Sequence, residues 1–258
     1  MTLMRTMTRL AGIGGLCLLS LAARAELPAN GAGYMDASFA AVVSLTQGTG
    51  GKARLPRLAD PVEGKVLDDV WNVKAILGSG PYIGSDIPAL IGILQKQAQL
   101  VTLYTQFSPG GSAKPNPAAN EREYQDELTR THEFVLKAVA AALQAMNSFG
   151  ASLTQDEKTE QRFQGLRQMR AGLLGLVTSA AGALNNPGMR PDNQLRLAKG
   201  FSENAAALAA GFAPADRKTL LTALQAASPA LKPDAQKAVG DFVKTVSAAA
   251  CNGLCRLD

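Results

Sequence analysis

Over residues 119–185 the apolar positions recur at alternating steps of three and four, the spacing that keeps them on one face of a helix. Tyr124, Leu128, Thr131, Val135, Ala138, Ala142 and Ala145 form the first such stripe and are expected to be buried. Asn120 followed by Glu123 has the spacing of a capping box and predicts a helix start there. Arg122, Asp126 and Arg130, like Glu133 and Lys137, lie four apart with opposite charge, which marks the exposed face. Thr154 with Glu157 repeats the capping pattern after a turn over 149–155. The second helix then runs to Asn185, where Asn-Asn-Pro-Gly stops it. The pair reads as a long central hairpin.

Four glycines interrupt the second helix: Gly165, Gly172, Gly175 and Gly182. They share one arc of the helix with Ser179 and Ala183, while Leu166, Met169, Leu173, Val177 and Leu184 fill the neighbouring arc. Each interior glycine costs about 1 kcal/mol relative to alanine, so the stripe calls for compensation of up to ~4 kcal/mol. The expected compensation is a helix packed at backbone range along it, and 87–107 is the predicted partner. A groove that admits a ligand is the other reading. The run between Arg170 and Arg190 is uncharged, but its apolar part, 171–184, is too short to cross a bilayer core of about 30 Å.

The remaining pattern is also helical. Val62, Val66, Val70, Val73 and Leu77 predict a helix over 61–77, with Trp71 on its flank as a core residue. The stretch 87–107 is the most hydrophobic beyond the leader, with Leu90, Ile91, Leu94, Ala98, Val101 and Tyr104 on one side; Ser85 or Asp86 is placed to cap it and Pro88 lies in its first turn. Further amphipathic helices are expected from Asp192 to Phe212, over 219–227, and after Lys232-Pro233-Asp234 with Val239, Phe242, Val243 and Val246 inward. The island 38–45 is read as a short helix from the spacing of Phe39, Val42 and Val43. Two Gly/Pro-rich stretches, 47–56 and 108–118, predict loops. The expected fold is therefore all-α: a bundle-like array of about seven helices with a long central hairpin, preceded by a Gly/Pro-rich segment over 26–60 and built as a single domain over 61–258.

Residues 1–25 have the build of a secretory signal peptide. Arg5 and Arg9 precede an apolar run over 10–21, and Ala23-Arg24-Ala25 predicts cleavage before Glu26. Gly14-Gly15-Leu16 ahead of Cys17 does not suit lipoprotein processing. The chain is accordingly expected in the periplasm or secreted, with no transmembrane segment after processing. Losing Arg5, Arg9 and Arg24 takes the 26 Lys and Arg to 23 against 21 acids, so the net charge falls from +5 to +2. That balance, with an aromatic content of 5%, argues against nucleic acid as a partner. Cys251 and Cys255 in Cys-Asn-Gly-Leu-Cys predict a local disulfide, with Gly253 bending the ring.

Little in the pattern points to chemistry. Gly78-Ser79-Gly80-Pro81 ahead of a helix resembles an anion cradle, but it follows a helix and lacks Gly-Lys-Ser/Thr, so a helix–helix corner is the simpler reading. His132 is the single histidine; without a second it forms none of the common zinc sites, and no Gly-x-Ser-x-Gly elbow supports it as a catalytic base. Neither metal nor cofactor is called for. The leading expectation is a non-enzymatic accessory protein that offers a helical surface to another envelope or secreted protein. The alternative is a small-ligand binder whose pocket lies against the glycine stripe near Trp71, Tyr82, Gly172 and Gly175. A hydrolase using His132 is the third.

Overall fold

The middle of the fold is a single helix, α6 (Gln125–Ser152), whose buried positions run almost unbroken from Glu127 to Met146. The predicted stripe from Tyr124 to Ala145 is buried at every position. By length and composition α6 is the one helix among the described residues that could cross a bilayer; 56% of its most apolar window is instead buried inside the protein. The computed structural model describes residues 27–46, 54–108 and 114–257, and all of their regular structure is helical. The fold is all-α, as the periodicity predicts. The expected leader lies outside the described residues, as do 47–53 and 109–113.

Around α6 the chain adds α1 (Gly31–Thr46), α2 (Pro61–Val70), α3 (Val73–Ile76), α4 (Ile87–Thr105), α5 (Pro117–Glu123), α7 (Glu160–Leu184), α8 (Pro191–Gly211), α9 (Pro214–Ala227) and α10 (Pro233–Ala248). α4, α7 and α8 pack on α6, α10 packs on α8, and α9 packs on α7. α1 packs on α2, α3 and α4 and contributes Met35 and Val42 to one continuous core, so the Gly/Pro-rich segment is partly a helix within the fold. Of the segments beyond the expected seven, α1 comes from that N-terminal stretch, and α3 and α5 arise where stretches read as single helices break.

Several expected boundaries move for local reasons. Asn120 does not cap: the cap is Asn116, whose side chain accepts from the Ala119 amide, and Asn120 Nδ2 instead donates to the Thr105 and Phe107 carbonyls. Thr154 and Glu157 do bond to each other, but they close a turn; α7 starts three residues past Glu157, capped by Thr159. The 61–77 helix breaks at Trp71, where the Asn72 side chain caps α3. Its buried face is shifted by one position. Val62 is 72% exposed, while Glu63 and Gly64 are buried, because Glu63 accepts from the Arg57 amide and pairs with Arg54 and Gly64 fits under the Leu58 carbonyl. Arg54 and Arg57 are therefore both engaged; Arg57 also lies 4.6 Å over the Tyr124 ring.

The glycine stripe of α7 is the largest correction. A Cβ added at Gly165, Gly172, Gly175 or Gly182 would meet nothing within 4 Å, and Gly172, Gly175 and Gly182 are exposed. No helix packs there at backbone range, and α4 lies on α6 instead. α7 is held from its other side by Leu166, Leu173, Val177 and Leu184. Close approach does occur, on α8: a Cβ at Gly211 would lie 2.6 Å from Leu143 Cδ2, and one at Gly200 would lie 3.2 Å from Leu136 Cδ1. Those two glycines let α8 settle on α6.

Candidate functional site: a groove between α4 and α7

α4 and α7 both pack on α6 but not on each other, which leaves a groove between them with α6 as its floor. The open glycine stripe is one reason it exists, since Ser179, Gly182 and Ala183 present no bulk to fill it. Val101 and Thr105 form the opposite wall on α4, and Leu128, Thr129 and His132 line the floor. Pro117 and Glu121 of α5, with Asn186 and Met189 of the turn after α7, close one end. The cavity measures about 410 Å³. A second compartment of about 190 Å³, lined by Ala98, Val135 and Leu176, shares Val101, His132 and Ser179 with the first. Together they have the size and the mixed lining usual for small-molecule sites.

His132 stands at the junction of the two compartments. Its side chain is 6% exposed and makes no hydrogen bond to any other described residue. Burial lowers its pKa to about 4, so the imidazole is neutral near pH 7. Thr129, three residues earlier and on the same face of α6, is 1% exposed, and its Oγ1 has no partner. Thr131 shows the usual alternative for a buried threonine, donating to the Glu127 carbonyl four residues back at 2.8 Å. Two adjacent residues that line the cavity thus have hydrogen-bonding capacity not used within the protein. Leaving such groups unmade costs of order 1–3 kcal/mol each.

Charge is sparse in the lining. Glu121 is the only ionised side chain of the larger compartment; it sits exposed at the rim and accepts from Asn186 Nδ2 at 3.4 Å. Gln106 and Gln125 make the remainder of that end polar, whereas the smaller compartment is lined by alanine, valine and leucine beside His132 and Ser179. Neither compartment is lined by lysine or arginine.

The structure does not gather the four residues proposed from sequence into one site. Trp71 is buried at the break after α2, with Arg130 5.9 Å over its ring and its Nε1 unpartnered, beside a small recess of about 70 Å³. Tyr82 is half-buried and lines a separate surface groove with Gly78, Lys137 and Gln144. Gly172 and Gly175 are exposed and line neither compartment, although Gly182 of the same stripe does. A larger surface hollow of about 630 Å³ between 81–85 and the end of α6 holds no buried, unpartnered polar side chain. His132, for which the sequence offers no zinc site and no catalytic elbow, is the residue that pattern reasoning undervalued; its place next to Thr131 of the buried stripe is the only signal.

No group of three or more potential metal ligands occurs among the described residues. The adjacent acids Asp68 and Asp69 are engaged, Asp68 with Arg130 and Asp69 with the Tyr34 hydroxyl, and Glu157 pairs with Arg162. Cys251 and Cys255 stand at disulfide-bonding distance, with Cα atoms 5.6 Å apart and Gly253 at φ +76° between them. No family model, curated protein or solved structure matches the chain.

Proposed function

We propose that this is an exported binding protein that takes a small, largely apolar ligand in the groove between α4 and α7. The observation that carries the reading is the cavity at the last glycine of the stripe, bounded by Ser179, Gly182 and Ala183 and floored by the buried Thr129 and His132, whose side chains hydrogen-bond to no other described residue. The leader pattern and the Cys251–Cys255 pair support export to the periplasm or beyond. A role as a docking surface for an envelope protein has less to rest on, because Val62 is the only large apolar side chain exposed outright among the described residues. Hydrolysis has less still. His132 makes no hydrogen bond to a hydroxyl or carboxylate, so no nucleophile–base pair is assembled around it.

N-phenyl-1-naphthylamine, an uncharged dye that fluoresces in apolar sites, tests the reading directly. The purified protein should bind it saturably, and Gly182→Phe, which places a ring in the groove from a position with open space around it, should abolish the signal while leaving the circular dichroism spectrum intact. Undiminished binding in a folded Gly182→Phe protein would remove the groove as the site.

A further inference from the structure

The geometry points to a particular ligand class: an uncharged molecule with an apolar body and one hydroxyl or carbonyl group, which hydrogen-bonds to His132 and Thr129 on the floor of the groove. This rests on the ligand-binding reading and specifies it. Four observations converge. Thr129 Oγ1 is buried without a partner, and the adjacent His132 ring on the same face of α6 makes no hydrogen bond to any other described residue, so a ligand group that pairs with both recovers the bond Thr129 forgoes in the empty protein and replaces groove water at His132. A hydroxyl or carbonyl suits both residues, since a neutral imidazole and a threonine hydroxyl each offer a donor and an acceptor. An anion finds no lysine or arginine in either compartment and meets Glu121 at the rim. A cation finds its only opposite charge at that solvated rim and none in the smaller compartment lined by Ala98, Val135 and Leu176.

Sites built to hydrogen-bond a hydroxyl reject analogues that lack it, because the site's own polar groups are then left unpaired. That gives a test free of the general preference of cavities for greasier molecules. Four naphthalenes with one varied substituent, 2-naphthol, 2-methylnaphthalene, 2-naphthoate and 2-naphthylmethylammonium, are titrated against bound N-phenyl-1-naphthylamine at pH 7.5. The expected order puts 2-naphthol first, at least tenfold tighter than the more hydrophobic 2-methylnaphthalene, with both ions weaker. Thr129→Val, which keeps the side chain's shape, and His132→Leu should each erase most of the naphthol advantage while leaving the affinity for 2-methylnaphthalene within about twofold. Equal affinity for naphthol and methylnaphthalene, a naphthol advantage that survives in Thr129→Val, or a tighter fit for either ion would overturn the ligand class while leaving the groove a binding site. Failure of the wild-type protein to bind the dye at all would overturn both proposals.

Discussion

At the scale of single residues, the buried polar groups of α6 divide into those whose partners are within the protein and those without. Glu127, 2% exposed, accepts from the Leu58 amide at 2.7 Å and faces the Arg57 guanidinium at 3.8 Å, so its burial is compensated. Thr129 and His132 have no such compensation, and each therefore makes a measurable prediction in the empty protein. Thr129→Val removes a hydroxyl that makes no bond, and it should raise the stability by about 1 kcal/mol with an unchanged denaturant slope. A urea midpoint that falls on substitution would mean that the hydroxyl is bonded in solution. For His132 the sign follows from its lowered pKa. The unfolded chain takes up a proton as the pH falls below 6.5, whereas the folded chain does so only near pH 4. Stability is unaffected by this group above pH 6.5 and is lost as the pH falls from 6.5 to 4, by about 3 kcal/mol in total. Comparing unfolding at pH 7.5 and pH 4.5, His132→Leu should lose about 2–3 kcal/mol less than the wild type; parallel losses would show that the imidazole is reached by solvent.

At the scale of elements, the glycines show what was legible in the sequence and what was not. Helix existence and the buried stripe of α6 follow from periodicity, because a face with Leu128, Val135 and the alanines after it has only one way to leave water. Which helix meets which does not follow, since four glycines in register look the same whether a neighbour lies against them or a cavity does. Single glycines at 200 and 211, with no pattern to announce them, take the close contacts instead, because Leu136 and Leu143 reach across from α6 at those two levels. The groove escaped notice for a related reason: Ala98 and Val101 belong to the apolar side of α4 by spacing, yet they are only half-buried. Substitution separates the two kinds of glycine. Gly172→Ala and Gly175→Ala enter open space on an exposed helix surface and should each stabilise by about 0.5–1 kcal/mol, together raising the melting temperature by several degrees and sparing dye binding. Gly211→Ala would press a methyl into Leu143 and should cost about 1–3 kcal/mol. Stabilisation by Gly211→Ala, or destabilisation by the α7 pair, would invert the helix packing described here.

At the scale of the whole molecule, the carboxy-terminal segment decides how α7 is held. The Arg170 guanidinium, on the buried side of α7, donates to the Leu254 carbonyl at 2.9 Å and lies 3.2 Å from Asp216. Arg167 reaches the Leu257 carbonyl, and Arg217 of α9 donates to the carbonyls of Phe212, Ala249 and Ala250. Asn147 of α6 accepts from the Leu254 amide at 2.9 Å. The tail thus joins α6, α7 and α9 on the side of α7 away from the groove, and Cys251 and Cys255, at disulfide-bonding distance, flank the bend that presents the Leu254 carbonyl. Removing the ring alone, as in Cys251→Ala with Cys255→Ala, releases a short loop and should cost about 2 kcal/mol by chain entropy. Truncation after residue 248 is a different perturbation, because it leaves the buried guanidiniums of Arg170 and Arg217 short of carbonyl acceptors that water cannot fully replace. Loss of a partner from a buried charge costs about 3–5 kcal/mol, so the truncated chain should unfold at much lower urea than the cysteine double variant. Equal urea midpoints for the two would assign the tail's contribution to the disulfide and strip the carbonyl contacts of their role in seating α7 beside the groove.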